Sequence, residues 1–166
     1  MVNVYLLPVD RSLYQSIRLN YLNNLQSIKG AAVDNLLNHN VLSALIRRSG
    51  DITGHHFCII KTFIDQKFHK IGTVLFWHSK NAELGWSKLM DILIFEKFRG
   101  SGFGNATVQI ILNESKFAGS LYLSLFVSHN NTDARKFYIH LGFLTWTTFK
   151  KGEYMLHRLN QLMESD

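Results

Sequence analysis

The chain of 166 residues carries one cysteine, Cys58. A disulfide within the chain is therefore excluded, and so is a zinc site built on several cysteines. A lone thiol suits a reducing compartment, so a cytoplasmic protein is expected. Proline is equally scarce, with Pro8 alone, and no low-complexity run is present. That excludes collagen-like and disordered compositions. No stretch approaches the roughly 20 apolar residues of a membrane span, so no membrane partner is expected. The N-terminal run from Met1 has no basic segment and is stopped by Pro8 and Asp10. It reads as a first strand rather than a signal peptide. Charged residues are few, at 18%, with Lys+Arg 18 against Asp+Glu 12 for a net charge of +6. The basic residues are scattered, adjacent only in the pairs Arg47-Arg48, Arg135-Lys136 and Lys150-Lys151. Without a basic run or a DNA- or RNA-binding signature, nucleic acid is not expected, and a nucleotide-bearing cofactor accounts for the charge as well. Metal ligands are also missing as a pattern. Eight histidines occur, but His55 and His56 face opposite sides of a strand, no H-E-x-x-H pair exists, and no metal is expected.

Hydrophobic residues make up 46%, enough for one domain spanning 1–166 with a real core. Leu13, Ile17, Tyr21, Leu25 and Ile28 recur at helical spacing up to Gly30. Val33, Leu36, Leu37, Ala44, Leu45 and Ile46 form a second, weaker stripe ending at Gly50. Strand-like runs follow at His56 to Phe63, Lys70 to Trp77 and Lys88 to Phe95, with a hairpin turn over Asp65 to Lys67. The third run is apolar on both faces except at Asp91, as in a strand covered on both sides. A helix beginning near Phe103 places Phe103, Ala106, Ile110 and Phe117 on one face and ends at Gly119. A strand over Leu121 to Val127, a short helix from about Thr132 to Leu141 and a closing hairpin around Lys150-Lys151-Gly152 complete the order β-α-α-β-β-β-α-β-α-β-β. The fold class is α/β, with a mixed sheet, an antiparallel front and one strand–helix–strand crossover.

Between the third run and its helix lies Glu96-Lys97-Phe98-Arg99-Gly100-Ser101-Gly102-Phe103-Gly104. A glycine-rich turn opening a helix makes an anion site: glycines let amides point inward, and the helix start adds about half a positive charge. A P-loop is absent. The dinucleotide fingerprint fails for want of its third small residue and its downstream acid. The pattern R-x-x-G-x-G does fit, at Arg99, Gly102 and Gly104. A turn that merely starts a helix is the other reading of the same residues.

The segment Val127 to Phe143 carries V-x(3)-N-x-x-A-x-x-F-Y-x(3)-G-F. Together with Arg99-Gly100-Ser101-Gly102-Phe103-Gly104, it resembles the GNAT superfamily of acetyl-CoA-dependent N-acetyltransferases. The motifs stand in the family's order, and the resemblance covers residues 55 to 159. The first 50 residues then form a strand and a helical substrate-side region. The proline that often precedes the family's glycine loop is missing. The resemblance implies a mostly antiparallel sheet of about six or seven strands flanked by about four helices. It implies acetyl transfer from acetyl-CoA to a primary amine, on a small molecule or a peptide or protein. A homodimer is common in the superfamily, although no residue here points to one. A non-catalytic acyl-CoA-binding module of the same fold is the alternative.

By the same resemblance, the amides of Arg99, Gly100, Ser101, Gly102, Phe103 and Gly104 bind the cofactor pyrophosphate. The backbone of Ile92, Leu93 and Ile94 pairs with the pantetheine arm, while their side chains read equally as core. Asn131 bonds the cofactor arm; it is also a favoured N-cap for the helix it precedes. Tyr138 matches the family's general acid. A phenol keeps its proton at neutral pH and can pass it to a departing thiolate. Its other reading is a packed aromatic, although Phe137, about 100° away on the helix, offers a core residue in its place. Asp91 is the candidate base or amine-binding group. A carboxylate in an apolar strand needs a reason, and a structural ion pair is the other one. Glu83 reads as surface. Few acids precede residue 80, which fits a polyamine-type acceptor poorly.

Overall fold

The chain opens with β1 (Tyr5–Pro8) and α1 (Arg11–Gln26). Asp10 caps the helix, its Oδ1 accepting the Leu13 N–H at 2.8 Å. This computed structural model describes residues 2–26, 54–78 and 85–159. The second helical stripe, Val33 to Ile46, and Glu83 lie outside those residues. β2 (His55–Ile64) and β3 (Lys67–His78) meet at Asp65 and Gln66. Both take positive φ, 49° and 63°, the conformation a two-residue hairpin turn requires. Then come β4 (Trp86–Ile94), a 3-10 turn at Glu96–Phe98, α2 (Phe103–Phe117), β5 (Tyr122–Ser128), α3 (Thr132–His140), β6 (Leu144–Phe149) and β7 (Gly152–Arg158). The strands form one seven-stranded sheet in the order β1-β2-β3-β4-β5-β7-β6. β1 pairs antiparallel with β2, and β7 antiparallel with both β5 and β6. β4 and β5 are parallel, as the α2 crossover between them demands. The expected mixed, mostly antiparallel α/β sheet is present, with three helices among the described residues.

The chain forms two compact units, residues 1–75 with 91–103, and residues 76–90 with 104–166. In the first, Ile59, Ile60, Ile71, Val74 and Leu75 are buried together with Tyr14 and Arg18. Here the inner face of α1 differs from the sequence expectation. Leu13 is exposed and Ile17 and Tyr21 are half-buried. The helix turns Tyr14 and Arg18 inward because both side chains end on a carboxylate that satisfies them, so their apolar stems can be covered.

In the second unit, Leu123, Leu125, Val127, Phe143 and Met155 make the core. A buried polar string lies beside them: His78 Nδ1 and Ser120 Oγ each lie 2.7 Å from Ser87 Oγ. The inner face of α2 is also rotated from expectation. It buries Thr107, Val108, Ile111, Leu112 and Ser115, a stripe at spacings of three and four. Phe103, Ala106 and Ile110 are only half-buried, and Phe117 is 93% exposed, since it lies about 200° round the helix from Ser115.

Candidate active site

In the first unit the site is built on the second half of β4. Phe95 N–H donates to Ile71 O at 2.8 Å, and a Cβ placed on Gly72 would lie 2.0 Å from Leu93 O. Only glycine lets the β3 backbone come that close. The parallel register of β4 with β5 covers Trp86, Ser87 and Lys88 alone. Ile92, Leu93 and Ile94 lie past it, and all three are half-buried rather than core.

Asp91 starts this stretch. Its Oδ1 is 2.9 Å from Arg18 Nη2, and its Oδ2 accepts from the Tyr14 hydroxyl at 2.9 Å. The ion pair is largely dry, with side-chain exposures of 4% for Arg18 and 16% for Asp91. Burial first, and then the Asp91 charge, push the Tyr14 phenol well above its ordinary value, so it stays a donor. Seven residues after Tyr14, the Tyr21 ring stacks on Phe95 at 4.6 Å, and its hydroxyl accepts the Glu96 N–H at 2.9 Å. Sequence reasoning singled out neither Tyr14 nor Arg18. Their signal was the spacing of Tyr14, Arg18 and Tyr21 at i, i+4 and i+7 on one helix face, opposite a strand carboxylate in need of a cation.

The glycine loop follows the 3-10 turn. Gly100 and Gly102 have φ of +76° and +84°, in the left-handed region that favours glycine. A Cβ at Gly100 would meet nothing within 4 Å, and one at Gly102 only Val2 Cγ2 at 3.6 Å. The loop face is therefore open. The amides of Gly100, Ser101 and Gly102 make no hydrogen bond to a described residue, and α2 begins at Phe103. Arg99 is exposed, and its Nε donates to Ile94 O at 2.9 Å, which ties the loop to the end of β4. These residues fit a phosphate group: the glycine-loop amides of Gly100 to Gly102, a helix start and a guanidinium.

In the second unit, α2 continues from Gly104. Asn131 caps α3, its Oδ1 accepting from Ala134 N–H at 3.2 Å. The N-cap reading therefore holds, and the exposed amide nitrogen is left for another acceptor. Tyr138 is buried, with ring centroids 5.2 Å from Phe137 and 5.5 Å from Phe143. The expectation that Phe137 takes the core place is reversed: Phe137 is half-buried and Tyr138 the deeper. Ala134, Tyr138 and Leu141 make the inward i, i+4, i+7 row, and Phe143, wholly buried, packs on Tyr138. Glu153 on β7 accepts from Thr145 Oγ1 at 2.6 Å and pairs with Arg135 of α3. Among the described residues no three His, Cys, Asp or Glu side chains gather to hold a metal. No described helix is long and apolar enough to cross a membrane.

A strand end, a left-handed glycine loop, a helix start and a tyrosine-bearing helix beyond the crossover are the parts of an acetyltransferase fold. The sequence profile of the acetyltransferase (GNAT) family matches residues 31–143, and the chain belongs to that family, whose acyl donor is acetyl-CoA. No curated protein matches it by sequence. Solved structures share the fold at low identity. The spermidine N-acetyltransferase of Vibrio cholerae, in complex with CoA and spermine, is 16% identical, with TM-score 0.64 over 94% of this chain and 95% of that one. A domain from Methanocaldococcus jannaschii is 17% identical, with TM-score 0.68 over 96% and 100%. The PaiA N-acetyltransferase of Thermoplasma acidophilum, in complex with coenzyme A, is 16% identical, with TM-score 0.60 over 94% and 99%.

Proposed function

We propose that the chain is an N-acetyltransferase that carries acetyl from acetyl-CoA to a primary amine by direct attack on the thioester. The observation that carries this reading is the paired left-handed Gly100 and Gly102, open to solvent and running into the start of α2. Acetyl-CoA supplies an activated carbonyl and a thiol leaving group. The amides of Arg99 to Gly104 hold its pyrophosphate. The backbone of Ile92 to Ile94, past the register with β5, receives the pantetheine arm as an added strand. Asn131 gives its free amide N–H to the same arm. As the N–C bond forms and the C–S bond breaks, Tyr138 donates its phenolic proton to the departing sulfur. The attacking nitrogen sheds one proton to water, and the phenolate is reprotonated from water. A buried ring locked between Phe137 and Phe143 suits a fixed donor. Much of the rate comes from positioning. Asp91 lies at the acetyl end of β4. With Oδ1 on Arg18 and Oδ2 on Tyr14, it fits the structural ion-pair reading better than that of a free base.

The test is calorimetric titration with acetyl-CoA, followed by an amine screen read as free thiol. Spermidine and spermine are included because a structural neighbour binds spermine. Tight binding by the wild type, weakened in Gly102→Val, supports the loop assignment. Tyr138→Phe is expected to lower kcat by about 10²-fold or more with binding unchanged. Binding without turnover of any amine favours the acyl-CoA-binding module instead, and no binding by folded protein overturns both.

A further inference from the structure

The glycine loop of the first unit has little stiffness of its own. Gly100 and Gly102 lack the Cβ that confines other residues to one side of backbone space. A cradle of amides serves a ligand only if the groups around it hold it to within about 0.5 Å. The bonds that do so start where the strand stops. Phe95 N–H ends the pairing with β3, at 2.8 Å from Ile71 O. The 3-10 turn then closes on itself, with Phe98 N–H on Phe95 O at 2.8 Å and Arg99 N–H on Glu96 O at 3.1 Å. Across the loop, the Phe98 and Phe103 rings lie edge to face with centroids 6.2 Å apart. The loop is thus braced between the turn and the helix start, and Glu96 is the joint between that assembly and β4. Tyr21 of α1 holds the joint. Its hydroxyl accepts the Glu96 N–H at 2.9 Å, and its ring lies nearly parallel to Phe95, with 17° between the planes.

We propose that Tyr21 is a positioning residue for the acetyl-CoA site. Through the Glu96 amide it fixes the angle at which the chain leaves β4, and with it the amides of Gly100, Ser101 and Gly102. The proposal rests on reading those amides as the pyrophosphate cradle. Two observations separate it from plain packing. Stacking on Phe95 needs only a ring, which phenylalanine supplies; the hydroxyl is spent on the first amide past the last bond to β3. The helix itself is already held to β4 by Tyr14 and Arg18 on Asp91, so Tyr21 is not needed to dock it. Glu96 is exposed, so water replaces the lost acceptor and no buried donor is stranded. Removing the hydroxyl therefore loosens the joint with little effect on folding, and the effect on the cofactor is read apart from stability.

Calorimetric titration of the full chain with acetyl-CoA tests this. Tyr21→Phe keeps the stacked ring and loses the hydroxyl. Its Kd is expected to rise about 3- to 10-fold, the range of one net hydrogen bond, with a urea midpoint close to that of the wild type. In a Gly102→Ala background, where the cradle is already disturbed, the same change is expected to add less than about twofold. A merely structural role lowers the urea midpoint and adds its full factor in both backgrounds. Should Tyr21→Phe fail to fold, hydrogen exchange of the wild type decides: acetyl-CoA is expected to slow the Glu96 amide together with those of Gly100 to Gly102. An unchanged Kd, equal factors in the two backgrounds, or a Glu96 amide that does not respond overturns the proposal and leaves the loop assignment standing. A folded wild type that binds no acetyl-CoA overturns the loop assignment, and this proposal with it.

Discussion

Replacing Arg18 with methionine isolates the energetics of the α1–β4 cluster. Methionine keeps an unbranched apolar stem and removes the guanidinium. Asp91 then loses the Nη2 contact at 2.9 Å and keeps only the Tyr14 hydroxyl. Breaking a buried pair from one side costs about 3–5 kcal/mol, because the remaining charge is stranded. Asp91 is 16% exposed and regains some water, which places the loss near the lower end, about 3 kcal/mol. For a chain of this size that is a fall in Tm of roughly 6–12 °C. Asp91→Asn strands the Arg18 cation instead, whose Nε and Nη1 are already buried without partners. The double variant Arg18→Met/Asp91→Asn removes both charges, while Asn still accepts from Tyr14. It is expected to be more stable than the sum of the single losses predicts by about 2 kcal/mol or more. Urea unfolding with unchanged m-values measures all four proteins. A loss under about 1 kcal/mol for Arg18→Met, or simple additivity, refutes the assignment of the cluster as a dry, mutually dependent ion pair.

Two further changes probe the rest of the chain. Gly72→Ala puts a Cβ 2.0 Å from the Leu93 carbonyl, where only backbone can give way. A stability loss of about 3 kcal/mol or more is expected, and an unchanged melting curve contradicts the close β3–β4 approach. Glu153 is held below its ordinary value first by the Thr145 hydroxyl, with Arg135 adding to it against the effect of burial. Its folded value lies below its unfolded one. Its contribution is therefore present above the ordinary glutamate value of about 4.5 and is lost as pH falls through the lower folded value. Glu153→Gln is expected to flatten that acid limb in a pH series of melting temperatures, and an identical slope in both proteins removes the effect.

The parts of this protein that were legible in the sequence are those set by local chemistry. The positive φ of Gly100 and Gly102 favours glycine, and Asn131 caps the start of α3. The apolar runs over β2 to β5 mark each strand to within three residues, the largest gap being the start of β3 at Lys67 rather than Lys70. The parts that were not legible depend on pairing at a distance. Arg18 looks like a surface residue until Asp91 is found against it, 73 positions later, and only then does α1 have reason to turn Tyr14 inward rather than Leu13. Tyr138 and Phe137 are adjacent apolar rings, so their pattern alone cannot choose between them. Phe143, packed on Tyr138, makes the choice. The face of α2 is also rotated from its apolar pattern, because Thr107 and Ser115 count as polar in a periodicity, yet both are fully buried. The errors therefore fall where packing, which a periodicity does not show, decides which side chain is covered. The Arg18 and Asp91 variants test one such case directly, because their non-additivity measures what neither residue discloses alone.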